Sequence, residues 1–120
     1  LEAAQALALR TRDLRIACVL ARALTRLQGL AGLADGLQLC LLLCQQLWPH
    51  VHPQLDASDG DDPTMRMNAL APLADAGALL RDLRDCELVS MRGMGTFTVR
   101  EYEVAAGLLA APADWWLHSP

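Results

Sequence analysis

The residues best placed to do chemistry lie between Trp48 and Arg66, in the stretch WPHVHPQLDASDGDDPTMR. His50 and His52 are one residue apart, and Asp56, Asp59, Asp61 and Asp62 follow at once. Two imidazoles with carboxylates are an ordinary ligand set for zinc or another transition metal. A small metal-dependent hydrolase using His50, His52 and the aspartates is therefore one reading of the segment. The spacing argues against it. An EF-hand with Gly60 at its glycine position would put Leu55 and Ala57 where oxygen ligands belong, and Arg66 where a bidentate Glu belongs. The other reading is a structural loop fixed by Trp48, His52, Pro53, Asp56, Asp62, Pro63 and Arg66, with histidines bonded to backbone and aspartates capping turns. In it, Arg66 pairs with at least one of Asp56, Asp59, Asp61 or Asp62, because a planar guanidinium fits a carboxylate bidentately. This reading predicts an ordered loop held by protein contacts, with no metal and no cofactor.

No catalytic set can be assembled elsewhere. Ser58 and Ser90 lie in no G-x-S-x-G elbow, and no cysteine is close to a histidine in sequence. Arg92-Gly93-Met94-Gly95 lacks the helix and lysine of a phosphate-binding loop. Cys18, Cys40, Cys44 and Cys86 form no C-x-x-C pair. Cysteine is often buried as a small hydrophobe, so these read as core residues of a protein in a reducing cytoplasm.

The elements that must carry the loop are helical. The chain has 120 residues, enough for one domain with a core, and 53% of them are hydrophobic. Leucine and alanine supply most of that fraction, which favours helix. The net charge is -4, which gives no general attraction to nucleic acid, and every basic residue is arginine. The run from Leu37 to Trp48 is broken by Gln38, Gln45 and Gln46 and falls short of the ~20 apolar residues of a membrane span, so no membrane insertion is expected.

In order, 1–10 reads as the tail of a helix that began upstream. Thr11 or Asp13 caps a helix to about Gln28, with Leu14, Ala17, Leu20, Ala21, Leu24 and Leu27 as its inner stripe. Gly29 and Gly32 mark a turn into an antiparallel partner helix, about Leu33 to Trp48. Leu39, Leu42, Leu43 and Cys44 should be nearly fully buried there. Pro49 stops that helix, and Asp62-Pro63 reads as N-cap and first position of the next. That helix runs to Asp75 with Met65, Met67, Leu70 and Leu73 inward, kinked or ended early by Pro72. A short helix over Ala76 to Arg84 follows, burying Leu79, Leu80 and Leu83. Leu88–Met91 and Thr96–Thr98 form a small β-hairpin around the glycine turn. Thr98 with Glu101 is a capping box that opens a last helix from Val99 to Ala110. The fold class is mainly α, an antiparallel helical bundle of five or six helices with one small β-hairpin.

Three surfaces are candidates for partner binding. Arg15, Arg22 and Arg26 fall opposite the inner stripe of the first helix, with Arg12 near them, and read as a solvated arginine face able to meet an acidic partner. The acidic loop is the second. Trp115 and Trp116 are the third, since exposed aromatics anchor interfaces.

Several spaced motifs, in order, resemble those of one family. They are Asp13-Leu14-Arg15, the GLAGL turn from Gly29 to Leu33, Trp48 with His52-Pro53, Asp62-Pro63 followed by Arg66-Met67-Asn68-Ala69-Leu70, and Thr98-Val99-Arg100-Glu101. Together they resemble the ImpA-type N-terminal domain of TssA-like proteins of bacterial type VI secretion systems, over roughly Leu7 to Leu109. The family domain usually has further sequence before the D-L-R helix, and most of it is missing here. On the resemblance, residues 1–120 are a single domain cut from a longer protein, without its upstream part and C-terminal region. The resemblance implies a non-enzymatic, cytoplasmic assembly module. Its partners would be protein components of the baseplate, tail tube or sheath, and the parent protein would form a homo-oligomer through its C-terminal region.

Overall fold

A computed structural model describes residues 3, 6 and 10–111. Its dominant element is α1 (Leu14–Gln46), two antiparallel helical arms joined at Gly29. Asp13 caps it, its carboxylate accepting from the Arg15 backbone N–H at 2.8 Å. Gly29 makes the reversal with φ 66° and ψ −143°, a setting that residues with a Cβ rarely adopt. Beyond the turn the arms approach very closely. A Cβ on Gly36 would lie 2.6 Å from the Ala21 Cα, so only glycine allows this contact. Leu14, Ala17, Ala21, Cys40 and Leu43 pack between the arms, joined by Val51 and Ala69.

By length and composition α1 would suffice to cross a membrane. The break at Gly29 instead leaves two arms, each shorter than the ~20 residues a span needs. The second arm is less enclosed than its leucine content predicts. Leu43 is fully buried, but Leu39, Leu42 and Cys44 are only half-buried, and Leu27 on the first arm is exposed.

After the loop come α2 (Thr64–Leu70) and a 3-10 turn, Ala71–Leu73, with Pro72 in its first turn as expected of a helix breaker. The inner stripe of this region is Arg66, Ala69, Leu70 and Leu73, not the methionines. Met65 and Met67 are exposed, because placing Arg66 inward turns both neighbours about 100° to either side. Next is α3 (Leu79–Arg84), which buries Leu79 and Asp82 and leaves Leu80 and Leu83 half-buried.

Strands β1 (Glu87–Met91) and β2 (Gly95–Thr98) pair antiparallel, Val89 against Phe97 and Met91 against Gly95, with an irregularity between Glu87 and Val89. The capping box is present: the Thr98 hydroxyl accepts from the Glu101 N–H, and the Glu101 carboxylate accepts from the Thr98 N–H. It opens α4 (Val99–Ala105), which ends five residues before the sequence expectation. Gly107, at φ 76°, stops it in a Schellman arrangement: Gly107 N–H reaches Val104 O and Leu108 N–H reaches Glu103 O. Counting the arms of α1 separately, the described residues hold five α-helical segments, three short 3-10 turns and one two-stranded hairpin.

Candidate interaction site

The loop after α1 is built around Arg66. Its side chain is buried among backbone carbonyls: Nε donates to Pro53 O (2.8 Å), Nη1 to Trp48 O (2.9 Å) and Nη2 to Val51 O (3.1 Å). The guanidinium also lies over the Trp48 ring, 4.1 Å from its centroid, a favourable cation–π geometry. Burial pushes its pKa below the ordinary guanidinium value, although an arginine so placed stays charged at neutral pH. The expected pairing of Arg66 with Asp56, Asp59, Asp61 or Asp62 is therefore corrected. The Arg66 donors go to three carbonyls of the segment that follows α1, of which Val51 O also accepts from Gln54 Nε2 at 2.9 Å.

The aspartates bond locally instead. Asp56 accepts from the Ser58 N–H and hydroxyl, and Asp62 accepts from the Thr64 N–H and hydroxyl. The two residues also bridge backbone to backbone, closing a subloop through the turn Ala57–Asp59. Asp62 bonds the start of α2 as foreseen, but one position earlier than a regular N-cap, because Pro63 itself precedes the first helical residue. Asp59 and Asp61 remain exposed, and Asp61 has φ 58°, which aspartate tolerates better than most residues.

The other side of the loop is pinned to the start of α1. His52 N–H donates to Arg12 O at 2.6 Å, and Leu14 N–H donates to His52 O at 2.8 Å. Pro53 is buried after a cis His52–Pro53 bond, while the His50 and His52 residues are exposed. Among the described residues no three His, Cys, Asp or Glu side chains converge as a metal site would require.

The arginine row divides. Arg15 folds onto its own cap, Nη2 2.7 Å from an Asp13 oxygen, and that bond holds the Asp13 carboxyl below its ordinary value. Arg22 and Arg26 both reach Asp82 on α3, at 2.7 and 2.8 Å. Asp82 is only 4% exposed. Burial alone would raise its pKa, but the bonds from Arg22 and Arg26 outweigh that and hold it low. The expected solvated face is thus corrected at Arg22, which is half-buried, while Arg26 stays exposed; both tie α1 to α3 through Asp82. Asp82 was missed from sequence, yet a signal existed: Leu79, Asp82 and Cys86 share one helical stripe, with the acid at a buried position. Trp115 and Trp116 lie outside the described residues.

Cys18, Cys40 and Cys86 are buried, and Cys44 is half-buried. Cys18 Sγ donates to Ala69 O at 3.3 Å and Cys86 Sγ to Asp82 O at 3.2 Å. The Cys18 thiol is lowered by a hydrogen bond with Cys40, whose own thiol is raised by the same contact.

A hairpin of helices, a loop clamped by a buried arginine and a small β-hairpin thus define a helical scaffold. Residues 1–75 match the family described as "ImpA, N-terminal, type VI secretion system", and the chain belongs to that family. It is 46% identical over 99 residues to the type VI secretion system component TssA1 of Pseudomonas aeruginosa, a match that covers 82% of this chain and 28% of that protein. No solved structure matches the chain.

Proposed function

We propose that the domain is a non-enzymatic assembly module that holds protein components of the type VI secretion baseplate, tail tube or sheath. The observation that carries this is the family match over residues 1–75, together with the likeness to a relative described as a secretion system component. The site geometry supports it. Arg66 spends its donors on carbonyls, and Asp56 and Asp62 accept bonds from within their own turns, so these groups fix the shape of the loop. Such a scaffold presents surface instead of activating a nucleophile. In the longer protein, a cytoplasmic homo-oligomer formed through sequence beyond this chain would multiply a weak contact. Calorimetric titration of the purified domain with baseplate, tube and sheath subunits of the same system tests the proposal. Saturable binding to at least one is expected. A folded domain that binds none of them refutes it.

A further inference from the structure

The arms of α1 come very close where Gly36 faces Ala21, since a Cβ on that glycine would lie 2.6 Å from the Ala21 Cα. The arms run antiparallel. One turn further, Cys40 on the second arm therefore stands opposite Ala17 and Cys18 on the first. Both thiols are enclosed there, Cys18 2% and Cys40 4% exposed. They hydrogen-bond to each other, and Cys18 Sγ also donates to Ala69 O on α2 at 3.3 Å. Cys44, one turn along the second arm, is half-buried and carries the row of thiols toward the surface. Among the described residues no three His, Cys, Asp or Glu side chains converge as a metal site would require, so the pair is not part of one.

We propose that Cys18 and Cys40 form a redox-sensitive staple, free as thiols under reducing conditions and joined as a disulfide across the hairpin when peroxide is present. This does not depend on the assembly reading. A disulfide needs sulfurs that face each other from chain segments ~4.4–6.8 Å apart at Cα, and closely crossing arms supply that pairing. Contact with Cys40 favours the Cys18 thiolate, the form that attacks peroxide. The Cys18 sulfur takes one oxygen as a sulfenic acid while the O–O bond breaks, and the departing hydroxide collects the Cys18 proton as water. Cys40 Sγ then attacks the Cys18 sulfur. The S–O bond breaks, and the second hydroxide leaves with the Cys40 proton as water. The two thiols lose two electrons, and peroxide is reduced to two waters. The link closes a loop that contains the Gly29 turn, so the arms can no longer part. It also removes the proton that Ala69 O accepts, so one tie to α2 is given up as the arms are fastened.

Peptide mapping by mass spectrometry, on the folded chain treated with hydrogen peroxide and then alkylated, tests the proposal. The expected product is one linked peptide pair, Cys18 to Cys40, lighter by two hydrogens and reopened by dithiothreitol. The oxidised chain should melt about 5 °C or more above the reduced one. Cys44→Ser and Cys86→Ser should still form the link, while Cys40→Ser should lose both the link and the gain in melting temperature. The wild-type map decides the matter even where Cys40→Ser fails to fold. Two thiols left free, a sulfinic acid on either, or a link through Cys44 or Cys86 overturns the proposal. A link that forms only in urea also overturns it, because the folded arms would then not hold the sulfurs within reach.

Discussion

Arg66 and Asp82 are both buried charges, and the molecule satisfies them by opposite means. Among the described residues Arg66 has no carboxylate partner; three carbonyls and an aromatic face surround it. Asp82 has two guanidinium partners that come from another element. The first arrangement uses a charge to collect backbone groups, so its strength follows from how many acceptors would be orphaned. The second uses charge against charge, so it depends on protonation. One fixes the path of a loop, and the other docks α3 on α1.

The largest expected effect breaks the first arrangement. Arg66→Ala leaves the Pro53 and Trp48 carbonyls without donors, leaves the Val51 carbonyl only its bond from Gln54 Nε2, and opens a cavity, and should cost about 3–5 kcal/mol in urea unfolding. Arg66→Lys should recover little of it, since an ammonium cannot reproduce the planar fork over Trp48. A loss below about 1 kcal/mol would show that water replaces the guanidinium without penalty.

Asp82→Asn keeps the shape and removes the charge, and should cost about 1–3 kcal/mol. Charge reversal at Arg22 and Arg26 should likewise lower the melting temperature, where a merely solvated face would tolerate it. The pH dependence separates the two arrangements. The folded-state pKa of Asp82 is depressed, so its contribution is present above the unfolded value of about 4 and disappears as pH falls through the folded value. Wild type should therefore lose stability in acid more steeply than Asp82→Asn, while Arg66→Ala should keep the acid slope of wild type. Identical acid slopes for wild type and Asp82→Asn would remove Asp82 from the account.

A smaller effect grades enclosure along the second arm. Leu43→Ala should cost about 2–5 kcal/mol and the half-buried Leu42→Ala clearly less, about 1 kcal/mol, read from the same unfolding curves. Equal losses would mean that Leu42 is covered in solution.

What was legible in the sequence was local. The Asp13 cap, the reversal at Gly29, the stop at Pro72, the β-hairpin and the Thr98–Glu101 box each depend on residues within a few positions. The family motifs were legible for the same reason. What escaped depended on distance or on backbone. The acceptors of Arg66 are carbonyls, which every residue possesses and no residue name reveals. Arg22 and Asp82 are 60 positions apart, and nothing local pairs them. Treating Arg66 as an outward residue also rotated α2 and sent Met65 and Met67 inward on paper. Enclosure of the second arm was overstated because sequence shows how apolar a helix is, not which of its faces other elements will cover.

The reversal at Gly29 also lets the two arms of α1 pack on each other within one chain. With no atom within 4 Å of a Cβ placed there, a side chain at Gly29 would meet no clash, only an unfavourable backbone. Gly29→Ala would favour straightening α1 into one rod of about 50 Å. The contacts between its arms could then be recovered only from another molecule. Two such chains would exchange second arms, each completing the core of the other, and the domain would become an intertwined dimer. Light scattering after concentrated refolding would read this directly as a doubled mass with the helix signal retained. An unchanged mass would show that the hairpin closes within one chain even without the glycine.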